Sequence, residues 1–120
     1  MEKASYSGGG KFLWFFQRFT GFLLMVMLLL HIYLLHFAIA GESPTYQEVM
    51  SRMGTPFWKS FDLVFLYLVI FHGLNGLWQV LIDYFHRPFV RVMFFSLVCF
   101  AGLIMMVVGT LTIFSLPVYY

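Results

Sequence analysis

The chain has 120 residues, of which 62% are apolar and only 10% are charged, and its mean hydropathy is +0.88. An ordinary soluble domain carries about 25% charged residues, so this composition excludes one. The net charge of +2 is too small to indicate a nucleic-acid partner. The single cysteine, Cys99, permits no internal disulfide.

Three long apolar runs predict an all-α membrane protein with three transmembrane helices. A helix of about 20 residues crosses a bilayer core, and the runs extend from Phe19 to about Ala40, from Leu63 to Ile82 and from Val92 to Leu116. The first run carries two histidines and no small-residue cleavage site follows it, so we do not expect a cleaved signal peptide. Residues 1–120 are predicted to form one membrane domain, with long helices at about 12–40, 58–84 and 89–116.

Two further features predict how the chain folds around these helices. A short surface helix is expected at about 43–53, where Ser43 is suited to cap it and Pro44 fits its first turn. In the third long helix, Gly102 and Gly109 are seven residues apart and share a face, which predicts close packing against another helix.

The basic residues predict the orientation of the chain in the membrane. Five of the seven lie before the first apolar run or between the second and third runs, whereas Arg52 and Lys59 lie between the first and second. The positive-inside rule then puts the N-terminus in the cytoplasm and the C-terminus outside, as a multi-pass protein of the inner (cytoplasmic) membrane.

The second long helix holds the strongest candidates for chemistry. His72 lies in a 20-residue run without a formal charge, where a histidine is costly unless it has a partner or a function. A neutral imidazole is an axial ligand of haem iron, and Gly73 and Gly76 are expected to open space beside the ring. Asp83 lies on nearly the same helix face, roughly 16 Å further along. With Tyr84 it forms a candidate site for hydrogen-bonding a quinone.

The first long helix adds three candidates. His31 lies 13 residues after Arg18, well inside the bilayer, and is a candidate second ligand. His36 is five residues further and about 140° around the helix, so it cannot share a face with His31 and is expected in an interfacial role. Arg18 keeps its charge, so it is expected either to snorkel or to pair with a haem propionate or the quinone site.

These residues resemble the small membrane-anchor subunit of succinate dehydrogenase (succinate:quinone oxidoreductase), of the cytochrome b type. The resemblance rests on the pattern His-x3-Gly-x-Trp-Gln-Val-Leu-x-Asp-Tyr from His72 to Tyr84, followed by Pro88. It extends to Gln17-Arg18-Phe19-Thr20-Gly21, which is similar to the family's Arg-x-Ser/Thr-Gly opening.

The resemblance implies half of a heterodimeric haem-binding bundle, surrounded by membrane lipid and paired with a second three-helix anchor subunit. The pair would dock an iron–sulfur subunit and a flavoprotein subunit and pass electrons from succinate to quinone, in the tricarboxylic acid cycle and respiratory chain. His72 would ligate the haem nearer the iron–sulfur subunit, Asp83 and Tyr84 would border the quinone site, and Arg18 would lie by haem or quinone. The chain would be a non-catalytic subunit, because one cysteine cannot bind a conventional iron–sulfur cluster.

The number of haems stays open at this point. His31 resembles the two-haem members of the family, in which each anchor subunit gives one ligand per haem, so two b haems per anchor pair are expected. Counted from Arg18 and Asp83, however, His31 and His72 differ in depth by only about 3 Å. One haem held by both histidines is therefore an alternative.

Three other functions also stay open. A haem-free anchor of a quinol:fumarate reductase would have the same fold, but the two buried histidines argue against it. A small multidrug or proton-coupled transporter would usually need a membrane-embedded carboxylate, and all five acids lie outside the apolar runs. A cytochrome b subunit of a hydrogenase or formate dehydrogenase would have four long helices.

Overall fold

The computed structural model describes residues 8–37 and 44–118. Within these ranges every regular element is a helix, and three of the four helices are long and apolar enough to cross a membrane. The prediction of an all-α protein with three transmembrane helices is therefore confirmed. The helices are α1 (Gly8–His36), α2 (Tyr46–Met53), α3 (Pro56–Tyr84) and α4 (Pro88–Ser115).

Prolines set the beginnings of two long helices. Pro56 and Pro88 lie in the first turns of α3 and α4, where a missing backbone N–H leaves no helical hydrogen bond unmade. α1 begins at Gly8, one turn before its predicted start. Its predicted end near Ala40 lies outside the described residues.

α2 begins with a reciprocal cap that differs from the predicted one. The Glu48 backbone N–H donates to Thr45 Oγ1 at 3.4 Å, and the Thr45 N–H donates to the Glu48 carboxylate at 2.7 Å. The Thr45 N–H, and then its hydroxyl, lower the pKa of the Glu48 carboxyl because they favour its charged form. Pro44 precedes the helix, so its predicted place in the first turn is wrong. Ser43 lies outside the described residues.

α3 and α4 pack closely through the two glycines of α4. A Cβ added at Gly109 would lie 2.6 Å from Leu66 Cδ2, and one added at Gly102 would contact α3 at 3.5 Å. The predicted close packing at these positions is therefore confirmed. Nearby, Tyr67 Oη and Thr110 Oγ1 are 2.8 Å apart and join the two helices by a hydrogen bond.

Few side chains are buried by contacts within this chain. Within the described ranges, the buried apolar side chains are Met27, Ile70, Leu81 and Ile113. Helices that are apolar on most faces are suited to lipid or to further helices rather than to water. α1 and α4 both pack against α3, and the contact between α1 and α3 positions the candidate site.

Candidate functional site

His72 lies midway along α3 and is held by polar side chains. Its Nδ1 is 2.9 Å from Thr20 Oγ1, and its Nε2 is 3.4 Å from the amide nitrogen of Gln17, both on α1. The same amide nitrogen donates to the His72 carbonyl oxygen at 3.2 Å, and Asn75 Nδ2 donates to Gln17 Oε1 at 2.8 Å. Four polar residues in apolar surroundings thus satisfy one another.

Two glycines let α1 and α3 approach at this point. A Cβ added at Gly21 would lie 3.1 Å from His72 Cε1, and one added at Gly76 would lie 2.9 Å from Gln17 Nε2. Nothing lies within 4 Å of a Cβ added at Gly73, because that residue points about 100° away around the helix. The expectation that Gly73 opens space beside the ring is therefore wrong. The space left by Gly76 admits the Gln17 amide next to the ring, and Gly21 borders the ring edge.

Three members of this network received no role from the sequence: Gln17, Thr20 and Asn75. A signal was present, because Gln17 and Thr20 are three residues apart and Asn75 follows His72 by three, so each pair shares a helix face. The fact that these two faces meet depends on the packing of α1 against α3, which no local pattern contains.

His31 lines a separate groove of about 420 Å³ at the end of the bundle where α2 lies. Arg52 of α2 and Asp62 of α3 line the same groove, with Arg52 Nη2 3.7 Å from Asp62 Oδ2. His31 Nδ1, Arg52 Nη1 and both Asp62 carboxylate oxygens are buried and make no hydrogen bond within the described part of the chain. Burying a polar atom without a hydrogen bond costs free energy, so these atoms are suited to bind water, a ligand or another subunit.

The two histidines lie at different levels of the bundle. The His72 ring contacts Thr20, which precedes His31 by 11 residues on α1. The His31 ring packs on the ring of Phe65, with their centroids 5.5 Å apart. Phe65 precedes His72 by seven residues on α3. At 1.5 Å per residue these offsets are roughly 10–16 Å. The predicted depth difference of about 3 Å is therefore wrong, and one iron cannot bind both histidines in this arrangement.

Arg18 lies deeper along the bundle than Asp83. Its neighbour Gln17 contacts Asn75, which precedes Asp83 by eight residues, or roughly 12 Å of helix. The Arg18 guanidinium carbon is 3.7 Å from the centroid of the Trp14 ring, and Nη1 donates to the Trp14 carbonyl oxygen at 3.4 Å. The Arg18 backbone is therefore closer in depth to His72 than to Asp83 and Tyr84, whereas its guanidinium lies about one helical turn nearer the end of the bundle, over Trp14.

Asp83 and Tyr84 are exposed at the end of α3, beside the turn into α4, and 77% of Tyr84 is accessible. Across residues 8–37 and 44–118, no hydrogen bond or ion pair joins Arg18 to either of them. The structure therefore does not bring these three predicted site residues together within this chain.

Comparison with known proteins identifies the family. Residues 9–110 match the model of the succinate dehydrogenase/fumarate reductase transmembrane subunit. The chain belongs to this family. The resemblance of the His72–Tyr84 pattern to a succinate dehydrogenase anchor is thereby confirmed, and the chain is a multi-pass membrane anchor subunit. Membership in this family favours a membrane anchor of succinate dehydrogenase or fumarate reductase over the transporter and hydrogenase alternatives.

Two relatives share the name succinate dehydrogenase hydrophobic membrane anchor subunit. The one from Thermoplasma acidophilum is 32% identical over 82 residues, which are 68% of this chain and 64% of the relative. The one from Archaeoglobus fulgidus is 33% identical over 70 residues, which are 58% of this chain and 59% of the relative. The matched region thus spans less than two thirds of either relative.

Proposed function

We propose that this anchor is one of two in a succinate:quinone oxidoreductase, where it binds haem b and forms part of the quinone site. Its partners are a second three-helix anchor, an iron–sulfur subunit and a flavoprotein subunit. The basic residues support a cytoplasmic N-terminus in the inner membrane. A quinol:fumarate reductase is the alternative, because the family description includes both directions of turnover.

The setting of His72 is the observation that carries this proposal. The imidazole stands in a transmembrane helix with a hydrogen-bond partner at Nδ1, while Nε2 has only a long 3.4 Å contact to an amide. Gly21 leaves the ring edge free of a side chain. This donor set fits haem, whose axial histidine is typically oriented through its other ring nitrogen. Haem b, when bound, supplies reversible one-electron transfer.

His31 fits a second haem on different grounds. Its Nδ1 is buried without a hydrogen-bond partner in the described chain, and the rest of the groove is apolar apart from Arg52, Asp62 and Thr112. A guanidinium such as that of Arg52 is suited to a propionate. The separate levels of His31 and His72 support two haems, each with one ligand from this chain and one from the second anchor. Arg18, whose backbone is close in depth to His72 and whose guanidinium lies over Trp14, is proposed to pair with a propionate of the haem at His72.

Asp83 and Tyr84 are proposed to border the quinone site at the cytoplasmic end of α3. The exposed Tyr84 hydroxyl can donate a hydrogen bond to a quinone carbonyl, and Asp83 can relay a proton through ordered water. Arg18 is left out of this site because, within the described residues, no hydrogen bond or ion pair joins it to Asp83 or Tyr84.

The haem content of single-histidine variants tests the proposal. His72→Ala and His31→Ala should each remove about half of the haem per flavin in the purified complex, because each histidine holds a different haem. His36→Ala is the matched control, since this exposed histidine lies on the same helix as His31. Succinate oxidation by an artificial dye reports assembly. Unchanged haem in both His72→Ala and His31→Ala, in an assembled complex, would refute the ligand assignment.

A further inference from the structure

The hydroxyl of Thr20 lies between a backbone carbonyl oxygen and one ring nitrogen of His72. Thr20 is only 1% exposed, and its Oγ1 lies 2.8 Å from the Phe16 carbonyl oxygen and 2.9 Å from His72 Nδ1. A hydroxyl has one proton to donate, and a carbonyl oxygen can only accept. The proton must therefore point at Phe16, because otherwise two oxygen lone pairs would face each other at 2.8 Å. His72 Nδ1 must then donate to Thr20.

The other ring nitrogen gives the same result from different atoms. Gln17 Oε1 accepts from Asn75 Nδ2 at 2.8 Å, which turns the amide nitrogen of Gln17 toward His72 Nε2 at 3.4 Å. An amide nitrogen only donates, so it faces a nitrogen that carries a lone pair. Both sides of the ring thus specify a proton on Nδ1 and a lone pair on Nε2, which faces the Gln17 amide.

We infer that Thr20 is a positioning residue, which holds His72 in the Nδ1–H tautomer and so leaves the Nε2 lone pair to bind iron once the Gln17 amide has moved from it. The inference rests on the proposed function, in which His72 binds haem iron. A hydrogen bond from the second ring nitrogen orients the ligand and raises its basicity, and losing the partner weakens metal binding by about 10–100-fold. Thr20 acts only through His72 and touches neither iron nor quinone.

Substitutions at Thr20 test this role in the purified complex. Thr20→Val keeps the shape of the side chain but removes the acceptor, so it should lower haem retention and shift the potential of one haem upward, because a less basic ligand stabilises ferric iron less. Thr20→Ser, which keeps the hydroxyl, should retain the haem content and the haem potential of the parent complex. Thr110→Val is the matched control, since the Thr110 hydroxyl also donates to a carbonyl four residues earlier and pairs across helices, but with Tyr67. Equal effects of the two valine variants, or an unchanged potential in Thr20→Val, would overturn the inference.

A second measurement holds even if Thr20→Val does not assemble. In the full-length, haem-free chain labelled with ¹⁵N-histidine in lipid bilayers, solid-state NMR should show a protonated Nδ1 and an unprotonated Nε2 for His72. The signal is assigned by its loss in His72→Gln. A proton on Nε2 in the parent chain would overturn the inference. Failure of the proposed function is distinguishable, because His72→Ala would then leave the haem spectrum unchanged whatever the tautomer.

Discussion

Gly76→Ala is expected to weaken the contact between α1 and α3, whereas Gly73→Ala is not. The added Cβ at Gly76 would lie 2.9 Å from Gln17 Nε2, but a Cβ at Gly73 would have no neighbour within 4 Å. The Gln17 amide would have to swing away. It would then lose its hydrogen bonds to Asn75, at 2.8 Å, and to the His72 carbonyl oxygen, at 3.2 Å.

The expected difference follows from those two hydrogen bonds. Each contributes roughly 0.6 kcal/mol inside a membrane protein, so Gly76→Ala should be about 1 kcal/mol less stable than Gly73→Ala. Comparing two alanine variants cancels the gain in helix propensity, about 1 kcal/mol, that each makes over glycine. The assay is unfolding of the chain by SDS in mixed micelles, followed by tryptophan fluorescence.

A double variant identifies the residue responsible. Once Gly76→Ala has displaced the amide, adding Gln17→Ala should cost little more, because both changes remove the same bonds. Equal unfolding free energies for the Gly73 and Gly76 variants, or fully additive costs in the double variant, would refute the reasoning that Gly76 admits Gln17.

Two further predictions concern the ends of the bundle. Tyr84→Phe should leave succinate oxidation by an artificial dye intact but slow quinone reduction, because it removes an exposed hydroxyl; equal quinone turnover would make Tyr84 an interfacial aromatic only. In the folded chain the pKa of Glu48 lies below the ordinary value of 4.5. The stabilisation of α2 by its cap should therefore be complete above about pH 4.5 and be lost as the pH falls through the folded pKa. The ¹³Cα shifts of α2 should follow this titration in the parent chain and not in Thr45→Ala, and the same titration in both would contradict it.

The sequence predicted the features of the fold that depend on local composition. The three apolar runs predicted the spanning helices, and the seven-residue spacing of Gly102 and Gly109 predicted the face of α4 that meets α3. The register between helices was not predictable in this way. The depth estimate counted from Arg18 and Asp83 as if they lay at one level, but the backbone of Arg18 lies roughly 12 Å deeper, because Gln17 beside it contacts Asn75. That offset changed the relative depth of the histidines.

In the candidate site, too, the sequence indicated the residue that stands out locally but not the residues that helix packing brings to it. His72 stood out because an imidazole in an uncharged run is costly. Its partners Thr20 and Gln17 did not, because a threonine or glutamine in a helix is ordinary until another helix is packed on it. The same applies to the Arg52–Asp62 pair beside His31, which forms only because α2 packs against α3.

The content of b haem per flavin in the purified complex, measured as the pyridine haemochrome, tests the central claim most directly. If His72 and His31 each give one axial ligand at their separate levels of the bundle, two b haems should be found for each flavin. A fully assembled complex that reduces quinone with no haem at all would contradict the account.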